Sequence, residues 1–296
     1  MWLSFAIGSV FAWSIPIVLD SVLVKNFEKN PFILMWTQSC ISMVILVSIS
    51  FFIPLESAWI PWLVLTSVIA YAGDIVLFYT LDRVEASVVN IAWAFLAIVL
   101  SIIGFYFFGE SWSVSQMIGV VCILGGVCFL SYYHHHIGWA SIGLLVGLGL
   151  LYAPSNAVQK AALFHGEVLY TTVFWQLASR ECFSFLFPWC LPNFRRKIGP
   201  FLFRISSFRF WAISFIVIIT YFLGMYLLAE AYKAGPISLV SVVGNIQPFT
   251  VLLFAWVLWK LFPKFASKEF FDSQAVAVKL LTFLIVFAGL GLLVIS

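Results

Sequence analysis

Six charged side chains stand inside otherwise apolar stretches of this 296-residue chain: Asp20, Asp74, Lys160, Arg180, Glu181 and Glu230. A charge within a membrane-spanning helix costs roughly 2.5 to 3.5 kcal/mol, and such residues almost always face a protein interior or a water-filled cavity. Arg180 lies closest to the middle of its stretch. We therefore expect Arg180 to bind an anionic group of a solute. The alternative is a structural ion pair with a buried acid such as Asp74.

Uncharged polar and aromatic side chains recur at helical spacing beside these charges. Tyr152, Asn156 and Lys160 follow one another every four residues and therefore share one helix face. Gln176 and Arg180 have the same spacing on another segment. Such faces are suited to a solute pathway, with aromatic walls, amides for hydrogen bonds and a base for a carboxylate or phosphate. They are equally suited to close helix packing, in which amides tie helices together.

The candidate solute-binding residues come from both halves of the chain. They are Trp13, Asp20, Gln38, Tyr71, Asp74, Asn90, Trp93, Tyr152, Asn156, Lys160, Gln176, Arg180, Tyr226 and Asn245.

The composition determines which elements carry these residues. Hydrophobic residues make up 64% of the chain and charged residues only 9%, whereas a soluble domain carries about 25% charged residues. Apolar runs of about 20 residues match the length of a membrane-spanning helix. Ten such runs are predicted, near residues 2–24, 32–53, 58–81, 86–108, 115–132, 138–163, 168–192, 210–232, 237–261 and 276–295.

An internal comparison divides these ten helices into two sets of five. Residues 4–25 resemble 143–164, with Trp13 aligned on Tyr152, Pro16 on Ser155 and Asp20 on Gln159. Residues 35–38 resemble 173–176, and 73–94 resemble 224–245. Because five is odd, the second set must enter the membrane from the opposite side. The sequence therefore predicts an all-α integral membrane protein of ten transmembrane helices, built as two inverted five-helix repeats at 1–133 and 138–296. Transporters with such repeats bind substrate between the halves.

Short motifs add a family resemblance. They are the helix starts at 85–89 and 235–240, Pro248, and Gly109 with Glu110 at the end of the fourth helix. The whole chain resembles EamA-type permeases of the drug/metabolite transporter superfamily. That resemblance implies a ten-helix fold around a central cavity and a multi-pass protein of the bacterial inner membrane. It also implies solutes such as amino acids, nucleotide sugars, sugar phosphates and S-adenosylmethionine.

The leading interpretation is a secondary transporter that moves a small polar organic metabolite by alternating access. Both signs of charge on the candidate pathway favour a zwitterion, such as an amino acid or a derivative like S-adenosylmethionine. A carrier of sugar phosphates or nucleotide conjugates is the runner-up, because Lys160 and Arg180 could hold phosphate. An integral membrane enzyme acting on lipid-linked substrates, or a channel, is less favoured: the acids are scattered, and the sequence has no Walker A, GxSxG or HExxH motif.

The remaining patterns concern partners. The five cysteines lack metal-ligand spacing and are interpreted as free buried thiols, and the chain is expected to bind no metal or cofactor. Residues 192–209 mix bases with phenylalanines, which predicts a segment on an anionic membrane surface or a solvated basic loop. The net charge of +3 with no nucleic-acid motif predicts no nucleic-acid partner. The expected partners are a small-molecule solute and membrane lipids, with the protein a monomer or homodimer.

The distribution of bases predicts an orientation. Twelve of the 15 Lys and Arg residues fall in loops on one side of the predicted spans, whereas Lys233 alone falls on the other. The positive-inside rule then places both termini outside the cytoplasm. The family resemblance implies the opposite orientation.

Overall fold

The structure is a computed structural model that describes residues 1–83, 91–134, 139–204, 208–261 and 273–295. Every regular element in these ranges is helical. The α-helices are α1 (Trp2–Asn26), α2 (Pro31–Ser50), α3 (Ile60–Arg83), α4 (Ile91–Phe108), α5 (Val114–His134), α6 (Trp139–Phe164), α7 (Leu169–Leu186), α8 (Pro192–Arg204), α9 (Phe208–Ala234), α10 (Ile237–Val243), α11 (Gln247–Leu261) and α12 (Ser273–Ile295).

The helices have the length and composition of a multi-pass membrane protein. Within the described ranges, five stretches are long and apolar enough to cross a membrane: Trp2–Asn26, Pro31–Ser50, Ile60–Asp82, Phe208–Ala234 and Ile237–Leu261. Large apolar side chains cover the outside of the protein; Phe52 is 86% exposed and Tyr106 83% exposed. An apolar exterior of this kind is stable against lipid and not against water. The ten-span count and the inverted relation of the halves stay predictions.

Local sequence signals place the helix ends. Asn30 caps α2 by accepting a hydrogen bond from the backbone N–H of Phe32, and Pro31 occupies the first helical position. At the end of α6, Gly166 adopts a φ of +87°, which lets the N–H groups of Gly166 and Glu167 return to carbonyls of the last helical turn. This left-handed glycine cap is a common way to end a helix.

Prolines alter two of the predicted spans. The span predicted at 168–192 is helical only to Leu186 and continues as a 3-10 turn at Phe187–Cys190, because Pro188 has no N–H to donate. The span predicted at 237–261 is interrupted by a 3-10 turn at Gly244–Ile246. Pro248 cannot donate to the carbonyl of Gly244, so the regular hydrogen-bond ladder fails there.

The basic segment after the 3-10 turn is an amphipathic helix, α8. Its apolar residues Phe194, Ile198 and Phe201 recur at i, i+4 and i+7 and are each at most 5% exposed. They pack into the same cluster as Phe210 and leave the neighbouring basic residues exposed. The apolar face of this helix thus lies against protein, so neither the membrane-surface nor the loop interpretation describes these phenylalanines.

Four of the five cysteines are less buried than predicted; the side chain of the fifth, Cys128, lies outside the described part of the structure. Cys190 is exposed, and Cys40, Cys122 and Cys182 are partly exposed free thiols. The prediction of burial was wrong because an apolar side chain on the outer face of a membrane helix can be covered by lipid and needs no protein contact.

Packing pairs helices across the two predicted halves. The first helix of each half lies along a helix of the other half: α1 along α9, and α6 along α3. Three further pairs also cross between halves: α2 with α7, α4 with α10 and α5 with α12. This arrangement leaves the candidate pathway between the halves.

Candidate solute-binding site

A cavity of about 150 Å³ lies between the helices of the two predicted halves. Four of its lining residues come from α1 and four from α6. They are Trp13, Pro16, Ile17 and Asp20 from α1, and Tyr152, Ser155, Asn156 and Gln159 from α6. Its other aromatic or polar lining residues are Gln38, Asp74, Phe78, Trp93, Gln176, Arg180, Glu181, Ser184, Tyr221 and Gln247.

Positions that align in the internal comparison meet at this cavity. Aligned pairs in which both members line the cavity include Trp13 with Tyr152, Pro16 with Ser155, Asp20 with Gln159 and Gln38 with Gln176. The two halves therefore contribute corresponding faces of corresponding helices to one site.

Gly73 and Gly224, which align in the internal comparison, lie in contact with the two aligned aromatic residues Tyr152 and Trp13. Gly224 of α9 lies against the indole of Trp13, and a Cβ atom there would overlap the indole ring. Gly73 of α3 lies against Tyr152, and a Cβ atom there would be 3.1 Å from the Tyr152 ring. Each glycine thus allows an aromatic side chain from the other half, which also lines the cavity, to pack closely against its helix.

Replacing Gly224 with Ala should displace Trp13 and lower the free energy of unfolding by about 1 to 3 kcal/mol, the usual cost of overpacking. Gly73→Ala should cost less, because its Cβ would require a shift of only a few tenths of an ångström. Gly147→Ala in α6 is the control, since nothing lies within 4 Å of its added Cβ. Denaturant unfolding of the three variants gives the order; a Gly224 variant as stable as the Gly147 variant would contradict this packing.

An ionic network crosses the cavity. Arg180 of α7 forms a bidentate ion pair with Asp74 of α3 and donates a further hydrogen bond to the hydroxyl of Tyr221. The hydroxyl of Tyr152 donates to Asp74. The guanidinium carbon lies 5.5 Å from the Tyr152 ring centroid and 5.1 Å from that of Tyr221, so the cation sits between two aromatic faces. The charge of Arg180 is therefore satisfied within the protein.

Two further acids line the cavity, and neither has an ion-pair partner among the described residues. Asp20 is 8% exposed and accepts a 2.7 Å hydrogen bond from Nε2 of Gln38. Glu181 is also buried, and Arg180 precedes it in α7. A buried carboxylate without a cation is costly, so these two acids favour a bound cationic group or a proton.

Several residues that line the cavity carry a buried polar atom with no hydrogen-bond partner among the described residues. Four are donors and one is an acceptor: Nε1 of Trp13, Nε1 of Trp93, Nε2 of Gln159, Nε2 of Gln247 and Oε1 of Gln176. Unpaired buried polar groups are rare in native structures, because each costs about 1 to 3 kcal/mol. Their concentration on one cavity points to a ligand, and the excess of donors points to a ligand with acceptor oxygens.

Nine of the fourteen candidate residues line this cavity. They are Trp13, Asp20, Gln38, Asp74, Trp93, Tyr152, Asn156, Gln176 and Arg180. Asn90 lies outside the described residues.

The other four candidates lie elsewhere. Tyr71 packs edge-on against Phe183 in a neighbouring apolar cluster. The hydroxyl of Tyr226 donates to Glu230, one helical turn further along α9. Asn245 is fully buried in the 3-10 turn and donates to backbone carbonyls of α10.

Lys160, the fourth, holds the turn between α9 and α10. Its ammonium donates to the backbone carbonyls of Tyr232 and Gly235, at 2.6 and 2.8 Å, and so caps the C-terminal end of α9. Glu110 acts on the other side of the same turn: its carboxylate accepts from the backbone N–H groups of Ile237 and Ser238 and caps the start of α10. Opposite charges thus complement the two helix ends that meet there.

The turn at Gly109 positions Glu110. Gly109 adopts a φ of +63°, and the N–H of Glu110 returns to the carbonyl of Gly104. The carboxylate then lies so close to Gly104 that a side chain at that position would overlap it. The Gly-Glu motif noted in the sequence is therefore a helix cap for the other half of the protein.

Some lining residues were not among the candidates. The sequence did contain information that points to two of them: Gln159 aligns with Asp20, and Glu181 was recognised as a charge within a span. Nothing in the sequence pointed to Tyr221 or Gln247. Each is a single polar residue in an apolar run, and only the packing of α9 and α11 brings them to the cavity.

An all-helical membrane protein with a polar cavity between its halves has the architecture of a solute transporter. Residues 1–132 match the family model of the EamA-like transporter family. The resemblance to the drug/metabolite transporter superfamily, predicted for the whole chain, is thereby confirmed over these residues, and the match indicates a membrane transporter of this type. A solved structure titled "Crystal structure of protein" is similar over 98% of this chain and 94% of its own, with a TM-score of 0.66 and 13% identity, which shows the fold alone. No curated protein matches the chain.

Proposed function

We propose that the protein is a secondary transporter for a small zwitterionic metabolite, an amino acid or an amino-acid derivative such as S-adenosylmethionine. One observation carries this proposal. Residues that line the cavity carry unpaired hydrogen-bond donors, and two acids that line it lack a cationic partner among the described residues; these two sets of groups complement the two charged ends of a zwitterion.

The donors suit a carboxylate. The indole N–H groups of Trp13 and Trp93 and the amide of Gln159 are buried and unpaired among the described residues. Hydrogen bonds from such donors to an ionised oxygen are roughly twice as strong as bonds between neutral groups. For the ammonium end we assign Glu181 as the acceptor, because Asp20 already accepts a hydrogen bond from Gln38.

The alternative function, a carrier of sugar phosphates or nucleotide conjugates, needs a free basic side chain at the cavity. Arg180 is bound to Asp74 and Tyr221, and Lys160 lies outside the cavity, bonded to backbone carbonyls. Both bases that favoured a sugar phosphate or nucleotide conjugate are thus engaged within the protein. The match to a transporter family likewise favours transport over an enzyme acting on lipid-linked substrates.

The proposed mechanism is alternating access between two inverted five-helix halves, in a multi-pass protein of the bacterial inner membrane. Two observations support this arrangement. Helices α1 and α6 each pack against a helix of the other half, and residues at aligned positions line the same cavity. Asp74 and Arg180 come from different halves, so rocking one half against the other would act on their ion pair. The cavity is formed within one chain, and a monomer is sufficient for the proposed cycle.

A matched set of ligands tests the proposal on the purified full-length protein. Each set consists of an amino acid, the amine that lacks its carboxylate and the carboxylic acid that lacks its amino group. We expect at least one amino acid to raise the melting temperature more than either partial analogue; at 100 times its Kd it contributes about 2.7 kcal/mol of stability. Stabilisation by sugar phosphates or nucleotide sugars, with none by any amino acid, would refute the proposal.

A further inference from the structure

We propose that Asp20 is the binding site of a proton whose movement is coupled to transport, an inference that rests on the proposed function. In this cycle a carboxylate oxygen of Asp20 takes a proton from water on one side of the membrane. It returns that proton to water on the other side after the cavity has changed its opening. No other bond forms or breaks.

The surroundings of Asp20 favour a change of protonation. Its carboxyl group is buried in α1, and its hydrogen-bond partner is the neutral amide of Gln38 on α2. That bond occupies Oδ1. A closed, water-poor cavity disfavours the charged carboxylate, whereas contact with water favours it. Alternating access would move Asp20 between these two conditions in each cycle.

Each of the other ionisable groups that line the cavity already has another role. Asp74, Arg180, Tyr152 and Tyr221 are joined in the ionic network from α3, α7, α6 and α9. Glu181, which follows Arg180 in α7, is assigned above to the ammonium end of the solute. Among the ionisable groups of the described cavity wall, Asp20 is therefore the acid that neither belongs to the network nor is assigned to the ammonium group of the solute.

The aligned position in the other half supports a single proton site. Gln159 stands where Asp20 stands in the first half, and Gln176 stands where Gln38 does; all four line the cavity. Gln176 donates to Ser155, at 2.9 Å to its carbonyl oxygen and 3.1 Å to its hydroxyl. An amide at position 159 cannot titrate, so this pair of related positions carries one exchangeable proton. A metal cation at Asp20 is disfavoured because the neighbouring amide presents its N–H group, and metal cations bind oxygen ligands.

Proteoliposomes containing the full-length protein and a radiolabelled amino-acid mixture give the first test. A pH gradient of one unit should drive the wild type to about tenfold accumulation of label, since one proton per solute transmits one pH unit. Asp20→Asn should lose this accumulation, so that the label inside the vesicles does not exceed the level reached without a pH gradient. Glu56→Gln, which removes an exposed acid far from the cavity wall, should behave as the wild type. Gradient-driven accumulation by Asp20→Asn equal to the wild type would overturn the inference and leave the proposed function intact.

Infrared spectroscopy gives a second test that needs no solute. In lipid nanodiscs, the wild type should show the C=O band of a protonated carboxyl group that disappears reversibly as the pH rises. Asp20→Asn should lack this band, and Glu181→Gln should retain it. If no amino acid is transported, the proposed function fails and this experiment still decides the protonation of Asp20. A titrating band that is unchanged in Asp20→Asn, or absent in the wild type, would overturn the inference.

Discussion

Arg180→Gln is expected to lower the free energy of unfolding by about 3 to 5 kcal/mol, the cost of breaking a buried ion pair by removing one partner. The structure gives the reason: Asp74 would keep its charge in a cavity where Arg180 had been its bidentate partner, and Tyr221 would lose a donor. Asp74→Asn should destabilise the protein for the converse reason. Denaturant unfolding of the purified variants measures both effects.

The double variant separates an ion pair from a solute anchor. With both charges removed, neither is stranded, and stability should recover most of the loss of either single variant. Lys29→Gln is the matched control, because its 3.1 Å pair with Asp82 is largely exposed and should contribute at most about 1 kcal/mol. Full stability in Arg180→Gln, combined with lost solute binding, would instead establish Arg180 as an anchor for an anionic group.

Lys160→Met should have the second-largest effect, a loss of about 2 to 4 kcal/mol. The change keeps the length of the side chain but removes two charge-assisted hydrogen bonds to the carbonyls of Tyr232 and Gly235. In a membrane protein, such buried carbonyls have little water to replace the lost donor. The melting temperature and the free energy of unfolding should both fall.

Lys233→Met provides the control for this substitution. Lys233 lies at the end of the same helix, α9, but its side chain is exposed. Its replacement should therefore leave stability within about 0.5 kcal/mol of the wild type, as for most surface substitutions. Equal stability of the Lys160 and Lys233 variants would contradict the capping role of Lys160.

These two bases also mark how far the sequence could predict the site. A spacing of four residues correctly placed Tyr152, Asn156 and Lys160 on one side of α6. However, the spacing of residues indicates only which face of the helix they share. It does not indicate how far along the helix axis the cavity extends. Tyr152 and Asn156 reach the cavity, whereas Lys160, one turn further, reaches the end of α9.

Arg180 illustrates a second limit. Its place within an apolar span identified it as an important residue, and the ion pair with Asp74 was one of two alternatives. The choice between them depends on how α3 packs against α7, which brings together side chains 106 residues apart. Local patterns contain no information about that packing. The internal comparison was more informative, because aligned positions such as Asp20 and Gln159 line the same cavity.

Counterflow in proteoliposomes tests the central claim most directly. Vesicles containing the full-length protein are loaded with an unlabelled amino-acid mixture and diluted into the same mixture at low, radiolabelled concentration. The proposal predicts a transient accumulation of label that protein-free vesicles do not show and that excess external amino acid abolishes. No counterflow of any amino acid, together with counterflow of a sugar phosphate or nucleotide sugar in the same vesicles, would contradict it.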